Sequence, residues 1–194
     1  MMRLSILEKN QTLAAKALFT VIRIFSGSRA VDAVRLVAYR PDFYGNPMKR
    51  LTHSVMRGPS AWSVADRELM AAFVSKLNDC EFCINAHSAV ASRAFGDKAK
   101  VAAILADLET APIEEPLRAV LRMLGKLTRE QRVGAEDVRA AMTAGASSRQ
   151  IEEALGVCFV FNTMNRLAET LNFAVPGPEV FEAGAKFLLS RGYR

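Results

Sequence analysis

Apolar residues recur every three or four positions along almost the whole chain, with Ala, Glu, Lys and Arg filling much of the space between them. That spacing marks amphipathic helices, and no stretch alternates apolar and polar residues as a half-buried strand would. The pattern predicts a first helix over residues 6–25, stopped by "SGS" at 26–28, and a second over 31–39. The second must end there, because Pro41 disfavours helical geometry at Arg40. A third lies in "GNPMKRLTHSVMRG", with Pro47 near its first turn and Gly58 just past its end.

"SVADREL" opens a fourth helix, with Ser63 as N-cap and Asp66 as an acidic capping-box partner, running to Leu77. "ND" at 78–79 restarts the chain. Asn78 is expected to cap a fifth helix, with Glu81 as its partner, and Gly96 to stop that helix after Phe95. After "GDKAKVAAILADLETAP", helices are expected over 113–127, in "GAEDVRAAMTAG" up to Gly145, and over 149–171 with a cap at Ser147 or Ser148. "PGP" at 176–178 precedes a last helix to Ser190. The fold class is therefore all-α, one domain over 1–194: N-terminal helices in 1–60, a core in 61–96 and a second helical half in 97–194. Each half holds an apolar helix, 80–95 and 149–171, preceded by shorter amphipathic ones. This pairing suggests a degenerate internal duplication, and no solenoid period is present.

Composition narrows the class. The chain has 194 residues, 51% of them hydrophobic, with charges intermixed throughout; this is globular composition, not disordered. The apolar stretch "LAAKALFTVIRIF" is broken by Lys16 and Arg23, so no run approaches the roughly 18–20 residues of a membrane span. No small-residue cleavage site follows it, and a signal peptide is not expected. The net charge is +6. The basic residues are scattered singly and no interleaved aromatics offer a stacking platform, which points to a solvated basic surface and away from nucleic acid. Three cysteines without a secretory signal argue against a disulfide framework and for the cytoplasm.

The candidate chemistry is concentrated in "DCEFCINAH", residues 79–87, which holds two of the three cysteines and one of the two histidines. At about 100° per residue, Cys80, Cys83 and His87 share one helical face. Residues three apart have Cβ atoms about 5–6 Å apart, and a disulfide wants about 3.5–4.5 Å, so a small adjustment lets this pair switch between dithiol and disulfide. Near a helix N-terminus, unpaired N–H groups favour a thiolate, the reactive form. His87, one turn beyond Cys83, can accept or relay its proton.

Two other readings use the same residues. Zinc would take Cys80, Cys83 and His87 and need a fourth ligand from Cys158, His53 or a carboxylate, none at a recognisable finger spacing. Alternatively, both cysteines are apolar filler. Elsewhere, His53 reads as a helix-face or core residue, Cys158 as filler, and Trp62 and Phe82 as packing near the pair. Asn162, Asn165 and Arg166 lie on an apolar helix and need polar partners, either lining a cleft or tying helices together.

Read outward, "DRELMAAFVSKLNDCEFCINAH" resembles the signature of the alkylhydroperoxidase AhpD-like family within the carboxymuconolactone decarboxylase superfamily: a Glu, eleven residues, then Cys-x-x-Cys-x-x-x-His. Here those are Glu68, Cys80, Cys83 and His87. The flanking "MRGPSAWSVADREL" and "FNTMNRLAETLNF" are similar to its uncharacterised peroxidase-related branch, so the likeness spans roughly residues 40–175. The resemblance implies an all-helical homo-oligomer (dimer, trimer or hexamer) that reduces organic hydroperoxides or hydrogen peroxide. It implies that Cys83 attacks the peroxide, Cys80 resolves the sulfenic acid, and Glu68 and His87 relay protons. No cofactor is implied beyond the dithiol, which an external thiol reductant restores; in the family's prototype that donor is a lipoyl-bearing protein. The sequence departs at Phe82, where the best-known peroxidase carries a second histidine. A carboxymuconolactone-type decarboxylase, which does not need the cysteine pair, and a non-catalytic dithiol redox sensor are the alternatives.

Overall fold

The computed structural model describes residues 6–9 and 11–193. Those residues form eleven α-helices and no strand: α1 (Ile6–Lys9), α2 (Leu13–Ser26), α3 (Asp32–Tyr39), α4 (Asn46–Arg57), α5 (Val64–Leu77), α6 (Glu81–Phe95), α7 (Lys98–Ala106), α8 (Glu115–Glu130), α9 (Ala135–Thr143), α10 (Ser148–Leu171) and α11 (Pro178–Arg191). The all-α expectation holds. Among the described residues no helix is long and apolar enough to cross a membrane.

The single helix expected over 6–25 is two; Asn10 lies outside the described residues. Thr12 is extended, and its hydroxyl accepts the amide of Ala15 at 3.2 Å. A Thr side chain that competes for a backbone amide favours a cap over a helix interior. Between α3 and α4 the chain makes a wide π-turn over Pro41–Gly45, in which the Gly45 amide reaches the Arg40 carbonyl. A Cβ at Gly45 would run into the Val37 carbonyl oxygen, so only glycine fits this turn.

Ser63 and Asp66 form the expected capping box of α5, and Ser147 caps α10 with Gln150 as its reciprocal partner. Gly96 and Gly145 adopt the left-handed conformations that end α6 and α9. Helix α7 is not announced by the sequence. Only its Val101 and Ile104 are buried, too few to print a periodic stripe, and Asp97 caps it. Helix α8 is shifted towards the C-terminus relative to the expected 113–127.

Helix α5 is the centre of the molecule. It is buried continuously from Arg67 to Ser75 and packs on α6, α8 and α10, while α11 covers α6. Leu69, Met70, Val74, Leu121 and Leu124 are fully buried; each such side chain contributes about 1.5–3 kcal/mol. The helices 80–95 and 149–171, paired in the sequence as possible repeats, both pack on α5 and share one core. Most apolar residues of α10 are covered by their own chain, although Phe159 is exposed. The larger uncovered apolar face is on α2, where Leu13, Ile24 and Phe25 are each more than two-thirds exposed: 83%, 72% and 86%.

Candidate redox site

The turn from α5 into α6 creates the site. Asn78 ends α5, Asp79 takes a left-handed backbone with φ of 53°, and Cys80 is the N-cap of α6. Asp tolerates that conformation better than most side chains. Asn78 therefore does not cap α6, and Glu81 is not its partner. Its amide group instead donates to Asn162 Oδ1 at 3.1 Å and Asn165 Oδ1 at 3.0 Å. Those bonds tie the turn to α10, and the Asn165 Nδ2 donates back to the Ser75 hydroxyl at 3.0 Å.

Cys80 and Cys83 thus sit in the first turn of α6, both as free thiols, 0% and 4% exposed. They hydrogen-bond to each other, and the two are displaced in opposite directions. The hydrogen bond from Cys83 holds the Cys80 thiol below its ordinary value, against the upward push of burial. Cys83 is raised well above its ordinary value by that same bond and by burial, with Asn165 opposing. The pair therefore releases its first proton with the charge on Cys80. Beside them, burial and the nearby Cys83 push the Tyr44 phenol up to about 12, and its hydroxyl donates to Met164 Sδ at 2.6 Å. The cysteines share a buried apolar cluster with Leu36, Phe82, Leu171, Phe173 and Phe181, and the Glu169 carboxylate also bonds Cys80 and pushes both thiols up. Phe82 meets Phe173 and Phe181 edge-on, at 5.5 and 5.7 Å between ring centres.

Glu68 reaches the site from α5. Its Oε2 lies 2.7 Å from His87 Nδ1, and its Oε1 accepts Arg57 Nη2 at 2.6 Å and the Tyr193 hydroxyl at 2.8 Å. Burial pushes this fully enclosed carboxyl up. The hydrogen bond and charge of His87, then the charge and hydrogen bond of Arg57, outweigh burial and hold it below the usual carboxylate range. An ionised carboxylate only accepts, so Nδ1 of His87 carries a proton and Nε2 is left for exchange. His87 stands four residues after Cys83, on the same face of α6.

The structure therefore pairs Glu68 with His87, and Cys80 with Cys83 at the start of α6. Asn165 does what both sequence readings allowed: it ties helices and touches Cys83. Arg166 is exposed and bonds to Asn162 of its own helix. Trp62 is not beside the pair; it lies in the main core, its indole N–H donating to the Gln150 carbonyl at 2.8 Å. Cys158 is also in that core, 3.6 Å from the Thr128 hydroxyl, with its thiol pushed up by burial. His53 accepts the Tyr193 amide at 3.2 Å. Among the described residues no three His, Cys, Asp or Glu side chains are grouped to hold a metal ion.

Arg57 and Tyr193 were not singled out from the sequence. Tyr193 lies 125 residues from Glu68, and a single aromatic in "SRGYR" carries no periodic signal. Both residues also wall a cleft of about 610 Å³ with Lys49, Arg50 and His53; neither cysteine lines it.

Residues 44–124 match the model of the carboxymuconolactone decarboxylase family. An uncharacterised peroxidase-related protein from Silicibacter sp. TM1040 has a similar structure, with a TM-score of 0.77, 21% identity, and 93% of this chain and 94% of that chain covered. An uncharacterised peroxidase-related protein from Ralstonia eutropha JMP134, described as an alkylhydroperoxidase AhpD core, gives a TM-score of 0.76 at 18% identity over 95% of this chain and 96% of that one. No curated protein sequence matches the chain. The likeness to the two solved structures shows the fold.

Proposed function

We propose that this chain, which carries a carboxymuconolactone decarboxylase family domain over residues 44–124 within an AhpD-like helical fold, is a thiol-dependent peroxidase. The observation that carries this reading is the pair of mutually hydrogen-bonded thiols at the start of α6, with His87 on the same helix bonded to Glu68 of α5.

Cys83 sulfur attacks the distal oxygen of the hydroperoxide as its own proton is lost. The O–O bond breaks, an alcohol (or water, from hydrogen peroxide) leaves with a proton, and Cys83 becomes a sulfenic acid. Cys80 then attacks Cys83 sulfur, hydroxide departs as water, and a disulfide forms. Two electrons from an external dithiol restore the pair by exchange. A lipoyl-bearing protein is the donor class that the family resemblance suggests. His87, held by Glu68, accepts and returns the protons. Asn165 supports negative charge on Cys83. The apolar cluster around the pair favours an organic hydroperoxide over hydrogen peroxide.

One observation favours exchanging the two cysteine roles: the lowered thiol is Cys80, at the N-cap. That assignment would put the attacking thiolate at the helix N-terminus. Free, buried thiols suit a reducing compartment, and the cytoplasm is the proposed location. A homo-oligomer is part of the proposal, with the exposed apolar face of α2 as its contact. Stopped-flow reaction of the reduced protein with alkyl hydroperoxide and with hydrogen peroxide tests the activity. One equivalent of peroxide consumed per chain, faster for the alkyl compound, is the expected result.

A further inference from the structure

The segment after α11 reaches Glu68. The Tyr193 hydroxyl donates to Glu68 Oε1 at 2.8 Å, and its ring lies nearly parallel to that of His87, with centroids 6.5 Å apart and 21° between planes. Arg57 bonds the same oxygen, but its Nη2 is shared with the Leu188 carbonyl, and its Nε and Nη1 go to the Leu188 and Met56 carbonyls. Tyr193 thus brings a donor that serves Glu68 alone. Its phenol stays protonated, because burial and the Glu68 charge raise it well above its ordinary value despite Arg57.

The approach of this segment is equally constrained. Helix α11 ends at Gly192, whose φ is 68°, and a Cβ there would stand 2.7 Å from the His53 ring. Only glycine lets the chain turn past His53 at this distance. The turn then delivers the Tyr193 amide to His53 Nδ1 and its hydroxyl to Glu68.

We infer that Tyr193 is a positioning residue: it holds Glu68 Oε1, so that Oε2 faces His87 and fixes the imidazole with its proton on Nδ1. The catalytic consequence rests on the peroxidase reading; the effect on the tautomer does not. Carboxylates that orient a histidine through Nδ1 set which ring nitrogen is free to exchange.

The chain has two histidines, and they report separately. His87 donates from Nδ1, whereas His53 accepts at Nδ1 from a backbone amide that survives side-chain substitution. Nitrogen-15 NMR of the reduced protein, wild type against Tyr193→Phe, reads both tautomers, with Glu68→Ala giving the spectrum of an unanchored His87. In Tyr193→Phe the His87 shifts should move towards those of Glu68→Ala while His53 stays put. The rate with alkyl hydroperoxide should fall roughly ten- to hundredfold, the worth of a hydrogen bond to a charged group. A shifted His87 with an unchanged peroxide rate would support the positioning role and count against the relay in the proposed reaction. An unchanged His87 tautomer in Tyr193→Phe would overturn the inference.

Discussion

His87 Nδ1 lies 2.7 Å from Glu68 Oε2, across the contact between α6 and α5. The two residues are nineteen apart in sequence, with both cysteines between them. The dyad is assembled only when α5 and α6 pack, so its integrity reports on the fold and on the chemistry together.

Glu68 should give the protein a distinct acid sensitivity. Its native titration lies below the usual carboxylate range. The stability that its ion pairs contribute is therefore full above the unfolded value of about 4.3, and is lost as pH falls through the lowered native value. Glu68→Gln should be weaker by about 3 kcal/mol at neutral pH, because Arg57 loses its buried counter-charge. Its stability should also fall less steeply in acid. Chemical denaturation of both proteins across pH 3–7 checks this, and parallel curves would contradict it.

The opposed displacement of the two thiols predicts a staggered titration. Followed by thiolate absorbance, the reduced protein should gain one thiolate equivalent below the ordinary thiol range and no second one until well above it. Cys83→Ala removes the hydrogen bond that lowers Cys80 and should move the first titration upward. Coincident titration of both thiols at ordinary values would refute the pairing.

Much of this was legible in sequence. Most of the helices, the Ser63–Asp66 box, a cap at Ser147 and the shared face of Cys80, Cys83 and His87 follow from local spacing, whereas Glu68 joins them in the sequence only through the family resemblance. What escaped depends on tertiary partners. Asn78 looks like an N-cap, yet two asparagines on α10 compete for its amide. Tyr193 and Arg57 reach Glu68 through chain-distant packing that no periodicity encodes. Phe82, which stands where the best-known peroxidase that the sequence resembles carries a second histidine, packs edge-on against Phe173 and Phe181.

The two cysteines should behave differently towards peroxide. Cys83→Ser should abolish the reaction, while Cys80→Ser should react once and stall as a trappable sulfenic acid. His87→Ala should slow the first step by about 10²–10⁴-fold, the usual range for acid–base assistance. Single-turnover kinetics with a sulfenic-acid trap distinguish these outcomes. An inert Cys80→Ser beside a reactive Cys83→Ser would exchange the two roles.

A self-association contact on α2 predicts that Leu13→Glu with Phe25→Glu lowers the assembly mass without unfolding the chain. Light scattering at micromolar concentration should find wild type above monomer mass and the double variant at monomer mass. A monomeric wild type would remove the oligomer from the proposal.

The central claim is that peroxide oxidises one specific pair of thiols. Peptide mapping by mass spectrometry, after one equivalent of alkyl hydroperoxide is added to the reduced wild-type protein, tests it most directly. The expected product is a single intramolecular Cys80–Cys83 disulfide, with Cys158 still a free thiol. Recovery of both Cys80 and Cys83 as free thiols, or of Cys158 within the bond, would contradict it.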